Sequence, residues 1–404
     1  MHVLIIGDSQ ARVWGLTGRE RLRRQLARVP SVEIVEPGAA LPAAGEVLLI
    51  HAGYLHDPRL LRVLSRPGDA LALVPGPGRP AVAARCEASH AAAIAQELTD
   101  RRSGGMLAGL PQRLPGELVT GFERSLRKVE PPVIYAITAE AVPQLEAELF
   151  GGAYKGVTDF ITKWLWPVPA MHVTRWCVKR GWSPNQVTWC GLVLAILAGA
   201  AFWQGYFGMG LLLGWIMTFL DTVDGKLARV TVTSSRFGNI LDHGIDLVHP
   251  PLWYAAWGMG LAETWTGSVS IGTLLWAMFA GYLGGRLCEG LFHLWIGRFS
   301  LFLWQPLDSF NRLITARRNP NLVLLTIAWL AGSPAAGLWA VVIWHLLSTV
   351  FLLYRSLQGL RVRSGGGVLQ PWLEQIDPLR DRHRLAVRVF TRVPAELNVD
   401  PAGA

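Results

Sequence analysis

Charge is what this chain has least of. Asp, Glu, Lys and Arg make up only 17% of its 404 residues, against 51% hydrophobic. With a mean hydropathy of +0.30, that scarcity argues against a wholly soluble protein and for one partly embedded in a membrane. Cysteine is scarcer still. Cys86, Cys177, Cys190 and Cys288 are scattered with no CxxC pair, so apolar burial explains them better than metal or redox chemistry. The opening stretch MHVLIIGDSQ lacks a basic n-region and a small-residue cleavage site, and is not expected to be a signal peptide. Helix-turn-helix, RNP and zinc-finger signatures are missing too, so nucleic acid is not expected as a partner. The net charge of +9 is assigned instead to anionic lipid headgroups or phosphorylated substrates.

Tryptophan, by contrast, is abundant at 18 residues, and it collects at membrane–water interfaces. The composition shifts near residue 150. Before it, short apolar strands alternate with helical stretches such as TGRERLRRQLARV, the pattern of an α/β domain over 1–150 with a mostly parallel sheet. Thr17 and Glu20 form a capping-box pair opening the first helix, and 111–127 reads as loops. From Tyr154, aromatics mix with Lys and Arg as in a helix lying in the membrane interface. Six apolar runs follow, at approximately 186–205, 208–228, 238–262, 269–293, 320–333 and 334–356. The fifth is short, since a span needs about 20 residues, but the sixth begins directly after the turn signal GSPAAG. The tail, 361–404, reads as a flexible joint and a small amphipathic helix.

The charges between the runs give an independent check. WQGYFG, ETWTG and GSPAAG carry no Lys or Arg, whereas the other intervals hold Lys226, Arg229, Arg236, Arg298, Arg312, Arg317 and Arg318. The positive-inside rule then puts both termini in the cytoplasm, which requires an even number of spans. The expected fold is an α-helical integral membrane domain of six transmembrane helices over 151–360, preceded by a cytoplasmic α/β domain.

Asp221 and Asp224 stand at i and i+3, and Asp242 and Asp246 at i and i+4, at the mouths of the second and third runs. Each pair shares one helix face. Four carboxylates brought together repel one another unless cations join them, and hard divalent ions that prefer oxygen ligands meet that need. Gly225 and Gly238 leave room for a bulky ligand, Ala228 keeps the face shallow, and Arg229 can pair with a phosphate.

Asp221-x-x-Asp224-Gly225-x-x-Ala228-Arg229, then Gly238-x-x-x-Asp242-x-x-x-Asp246, matches every fixed position of the CDP-alcohol phosphotransferase signature, and 155–360 resembles that family. The resemblance implies a membrane enzyme, a homodimer with two divalent cations, most often Mg and otherwise Mn. Its substrates would be a CDP-linked alcohol, such as CDP-diacylglycerol, and an acceptor alcohol whose hydroxyl displaces CMP. Asp221, Asp224, Asp242 and Asp246 then look like metal ligands, with Asp246 also the general base. Gly225, Ala228, Arg229 and Gly238 look like CDP-binding positions. Asn185 and Thr188 join them, in an element from Ser183 that resembles the family's TPNxxT with Ser183 in place of Thr.

The α/β domain resembles the inositol-phosphate cytidylyltransferase domain found before some members of the family, in a degenerate form. Gly7 and Arg12 of the glycine-rich loop survive, its other glycines and the downstream lysine do not, and the place of a metal-binding aspartate reads His51-Ala52-Gly53, with no acid before Asp57. Catalysis is not expected of it. Arg236, Arg286, Arg317 and Arg318 are the candidate acceptor residues, for an anion such as an inositol or sugar phosphate. Arg286 is costly inside an apolar run unless Glu289 neutralises it. Three alternatives stand beside this reading: transfer from CDP-inositol to inositol phosphate, as in di-myo-inositol-phosphate-phosphate synthases; a transporter; and a scaffold. The expected location is a bacterial or archaeal-type cell membrane, crossed several times.

Overall fold

The computed structural model describes residues 1–36, 39, 42–101 and 104–397, with the side chains of 236, 237, 239 and 241–243 excepted. The amino-terminal part is built on a six-stranded sheet of order β2-β1-β3-β6-β5-β7. Its strands are β1 His2–Ile6, β2 Glu33–Val35, β3 Glu46–His51, β5 Leu71–Leu73, β6 Ala83–Glu87 and β7 Gln112–Arg113. A separate antiparallel ladder joins β4, Tyr54–His56, to β10, Ile134–Ala136, and a third pairs β8, Phe122–Glu123, with β9, Lys128–Val129. The apolar runs of β3 and β5 are buried because helices cover the sheet: α1 Gly18–Leu26, α2 Pro58–Leu64 and α3 Ala88–Thr99. Thr17 caps α1 through the expected box with Glu20.

The sheet is mixed, not mostly parallel. β1 pairs parallel with β2 and β3, but β6 runs antiparallel to both β3 and β5. The cause is chain length: residues 74–82 between β5 and β6 are too few for the crossover that parallel neighbours need, roughly a dozen residues or more. Apolar alternation carries no record of strand direction.

Beyond α4, Val142–Gly152, a π-helical turn at Ile161–Leu165 leads into α5, Pro167–Lys179. Trp164, Leu165, Val168 and Trp176 of this segment are exposed. Helices then occupy all six apolar runs: α6 Pro184–Trp203, α7 Phe207–Val230, α8 Arg236–Gly260, α9 Ile271–Leu291, α11 Arg318–Leu330 and α12 Pro334–Ser364, with the short α10, Pro306–Ile314, before the last two. Among the described residues three of them, α6, α7 and α12, are long and apolar enough to cross a membrane. At 1.5 Å per residue α11 reaches only about 20 Å of the roughly 30 Å hydrocarbon thickness. The bundle interior packs Phe202, Met217, Trp253, Trp257, Leu322 and Leu338. Its outside is apolar as well: Ile196, Leu212, Trp276, Leu330 and Val350 are all more than half exposed. A helix apolar on both faces belongs in lipid.

The carboxyl-terminal tail returns to the amino-terminal domain. After the short α13, Leu385–Phe390, Arg392 pairs with Glu130 and with Glu148, the latter at 2.5 Å, and the Tyr135 hydroxyl donates to the Ala395 carbonyl at 2.9 Å.

Candidate functional site

The acidic residues gather where α7 and α8 meet α11. One guanidinium joins two of them: Arg318, the first residue of α11, donates from Nη2 to Asp221 at 2.6 Å and from Nη1 to Asp246 at 2.5 Å. Asp224 lies one turn along α7 from Asp221, 5% exposed, and accepts from the Thr188 hydroxyl of α6 at 2.6 Å. A buried carboxylate needs such partners, because burying an uncompensated charge is expensive. Asp246 differs, since its side chain is 45% exposed. The Asp242 and Arg236 side chains lie outside the described residues.

Among the described residues, no three acidic, His or Cys side chains form a closed ligand set. The donors present nevertheless suit a hard divalent cation, being carboxylate oxygens on two facing helices. Arg318 marks the spot as one that demands positive charge. Sequence reasoning placed Arg318 with the acceptor; the structure engages it with the aspartates.

Of the expected CDP-binding positions, Asn185 and Gly238 come together. A Cβ added to Gly238 would stand 2.8 Å from Asn185 Oδ1, so a larger residue there would have to displace the Asn185 side chain. Thr188 is turned to Asp224 rather than to open space. Arg229 bends back on its own helix, donating to Gly225 O at 3.0 Å and across to Ala153 O at 3.3 Å. Gly225 and Ala228 are half-buried on the same helix. Ser183 caps α6 in a capping box with Gln186, which gives that element a structural role as well.

A second charged group sits beside the first. Glu289 of α9 pairs with Arg317, the neighbour of Arg318, and lies 3.8 Å from Arg286. Arg312 of α10 acts on it electrostatically too, and Arg127, from the turn between β8 and β9, acts on both Glu289 and Arg317. Arg312 Nε and Nη1 and Arg317 Nε are buried without a hydrogen-bond partner. Sequence reasoning used Arg312 only as a topology marker, and missed Arg127, which no local signal connects to this place.

In the amino-terminal domain, the loop after β1 is filled by a histidine. A Cβ on Gly7 would lie 2.5 Å from the His51 ring, and Arg12 is held by Gly15 O and Glu20. A cavity of about 510 Å³ lies between this domain and the helices, lined by Arg21, Arg28, Tyr135, Arg229 and Val232 among others.

Residues 182–298 match the family model described as CDP-alcohol phosphatidyltransferase. The chain is 37% identical over 79 residues to archaetidylinositol phosphate synthase of Pyrococcus horikoshii, covering 19% of this chain and 42% of that protein. It is 34% identical over 107 residues to phosphatidylinositol phosphate synthase of Streptomyces avermitilis, 24% and 42% of the two chains. With cholinephosphotransferase 1 of Xenopus laevis it shares 27% over 126 residues, 28% and 29%. The chain spans less than half the length of each of these relatives.

Proposed function

We propose that this chain is a six-span membrane transferase that moves a substituted phosphate from a CDP-linked alcohol to the hydroxyl of an acceptor alcohol, releasing CMP. The observation that carries the reading is the joining of Asp221 and Asp246 by the Arg318 guanidinium, with Asp224 one turn from Asp221 and held by Thr188; all three acids lie inside the segment that matches the family model. Divalent cations held by Asp221, Asp224, Asp242 and Asp246 would screen the pyrophosphate and stabilise the leaving CMP phosphate. Asp224, buried and hydrogen-bonded, is suited to fixed ligation. Asp246, partly exposed, is the carboxylate an acceptor hydroxyl can reach; it takes the proton as the new P–O bond forms and the bond to CMP breaks. Arg318 must then release Asp246 during the cycle, because an ion-paired carboxylate is a poor proton acceptor.

Arg286, Arg312, Arg317 and Arg127 outnumber the acids beside them, Glu289 and Asp159, and supply cationic excess next to the reaction centre, which suits a phosphorylated acceptor. Two relatives are named as inositol phosphate lipid synthases, and an inositol phosphate is the acceptor we favour. The resemblance adds a homodimer, and the loop charges a cytoplasmic active site with both termini on that side. Residues 1–150 act without cytidylyltransferase chemistry on this reading; 361–404 form a cytoplasmic tail.

The test is a panel of CDP-donors and phosphorylated acceptors given to the purified protein with Mg²⁺, read by mass spectrometry. CMP and one lipid phosphodiester are expected, with no pyrophosphate from CTP plus inositol phosphate. Absence of CMP with every donor would favour a transporter or scaffold.

A further inference from the structure

Three arginines of α1 and the turn that follows it lie on one stripe, at 21, 24 and 28. Each reaches a carbonyl at the junction of the two aspartate-bearing helices. Arg21 Nη2 donates to Val230 O at 2.8 Å, Arg24 Nη1 to Thr231 O at 2.8 Å, and Arg28 Nη2 to Ser234 O at 3.1 Å. These carbonyls need partners. The last carbonyls of α7, Val230 among them, and those of the turn after it find no intrahelical N–H donor, and cations are favoured at a helix carboxyl end. The junction is also strained: Val232 has φ of 54°, a left-handed conformation that a β-branched residue adopts only when its surroundings hold it. Three residues on, Ser235 caps α8 by accepting from Gly238 N at 3.0 Å. The geometry of the junction therefore sets how α8 departs from α7, and hence where Asp242 and Asp246 stand relative to Asp221 and Asp224.

We infer that the amino-terminal domain is a clamp on this junction, and that Arg21, Arg24 and Arg28 are positioning residues for the aspartate site. The inference rests on the transferase reading above. The cavity of about 510 Å³ bordered by Arg21, Gln25, Arg28, Val230, Val232 and Ser234 makes the point sharper. Beside it Val13, Trp14 and Leu55 share one buried apolar cluster with Val223, Leu227 and Val230, and the arginine hydrogen bonds cross the part of the seam that this packing leaves open. The amino-terminal domain has a use in this way whatever its own chemistry, because its first helix holds the reaction centre's two halves in register.

Arg21 is buried, so its removal endangers the fold; Arg24 and Arg28 are exposed and serve the experiment. In the full-length protein, Arg24→Ala/Arg28→Ala is compared with Arg24→Lys/Arg28→Lys by hydrogen exchange at amides 230–240, by kcat, and by the Kd for a CDP-alcohol. One such hydrogen bond corresponds to roughly 2- to 12-fold in an equilibrium. The alanine pair should exchange faster at 230–240 by at least that factor and lose kcat comparably. Its donor Kd should weaken alongside, because the junction also places the cation ligands, while its exchange in β1 and β3 should stay near wild type. The lysine pair, which keeps one donor for each carbonyl, should restore both protection and kcat. Unchanged protection in the alanine pair, or a loosened junction with undiminished kcat, overturns the clamp. If the wild type releases no CMP from any donor, the transferase reading fails instead, and the exchange data alone decide the clamp.

Discussion

At the scale of single residues, the aspartates are chemically unequal although the sequence writes them alike. Asp224 is 5% exposed and bound to Thr188, whereas the Asp246 side chain is 45% exposed and tied to Arg318. Asp224→Asn should therefore lower both CDP-alcohol binding and transfer. Asp246→Asn should lower transfer by about 10²–10⁴-fold, the usual contribution of a general base, and leave donor binding much less affected. Donor titration beside a CMP-release assay separates the two; equal loss of binding in both variants would make Asp246 chiefly a ligand. The nearness of Asp221 to Asp224 was legible from their spacing alone, because i and i+3 share a helix face before any tertiary contact exists. Arg318 as their partner was not, since 97 residues separate it from Asp221.

At the scale of the element, α8 shows how a helix in an apolar bundle tolerates an interruption. Pro250 and Pro251 lie inside it, one turn beyond Asp246, and a proline deprives the carbonyl four residues earlier of its partner. For Pro251 that carbonyl belongs to Leu247, and the Tyr282 hydroxyl of α9 donates to it at 2.7 Å. Tyr282→Phe should orphan it and cost about 1–3 kcal/mol, seen as a lower midpoint in thermal unfolding of the solubilised protein. A midpoint equal to wild type would mean that another donor takes the place of Tyr282. The six helices were readable because apolar runs too long for ordinary strands, separated by turn signals, favour helix. The sheet's directions were not, and neither was the contact from Arg21 to Val230, which crosses 209 positions. Periodicity describes a segment's own face and is silent on what that face meets.

For the whole molecule, acid should loosen the amino-terminal domain first. His51 and His56 are buried, and burial of the cationic form pushes each pKa down from 6.5 to about 4. Between those values the unfolded chain binds protons that the folded domain does not, so stability falls as pH drops from about 6.5 toward 4. The slope is about 1.4 kcal/mol per pH unit for each histidine. Unfolding midpoints at pH 7.5 and 5 should differ accordingly, and His51→Gln/His56→Gln should flatten the difference; an unaltered pH dependence would refute the assignment. The returning tail bears on a different matter, the order in which the molecule can be made. Glu130, Tyr135 and Glu148 receive Arg392 and Ala395 from the far end of the chain. A ribosome delivers those residues only after α6 to α12 have been made. The contacts that Glu130, Tyr135 and Glu148 make with the tail can therefore close only after the helices between them have been synthesised.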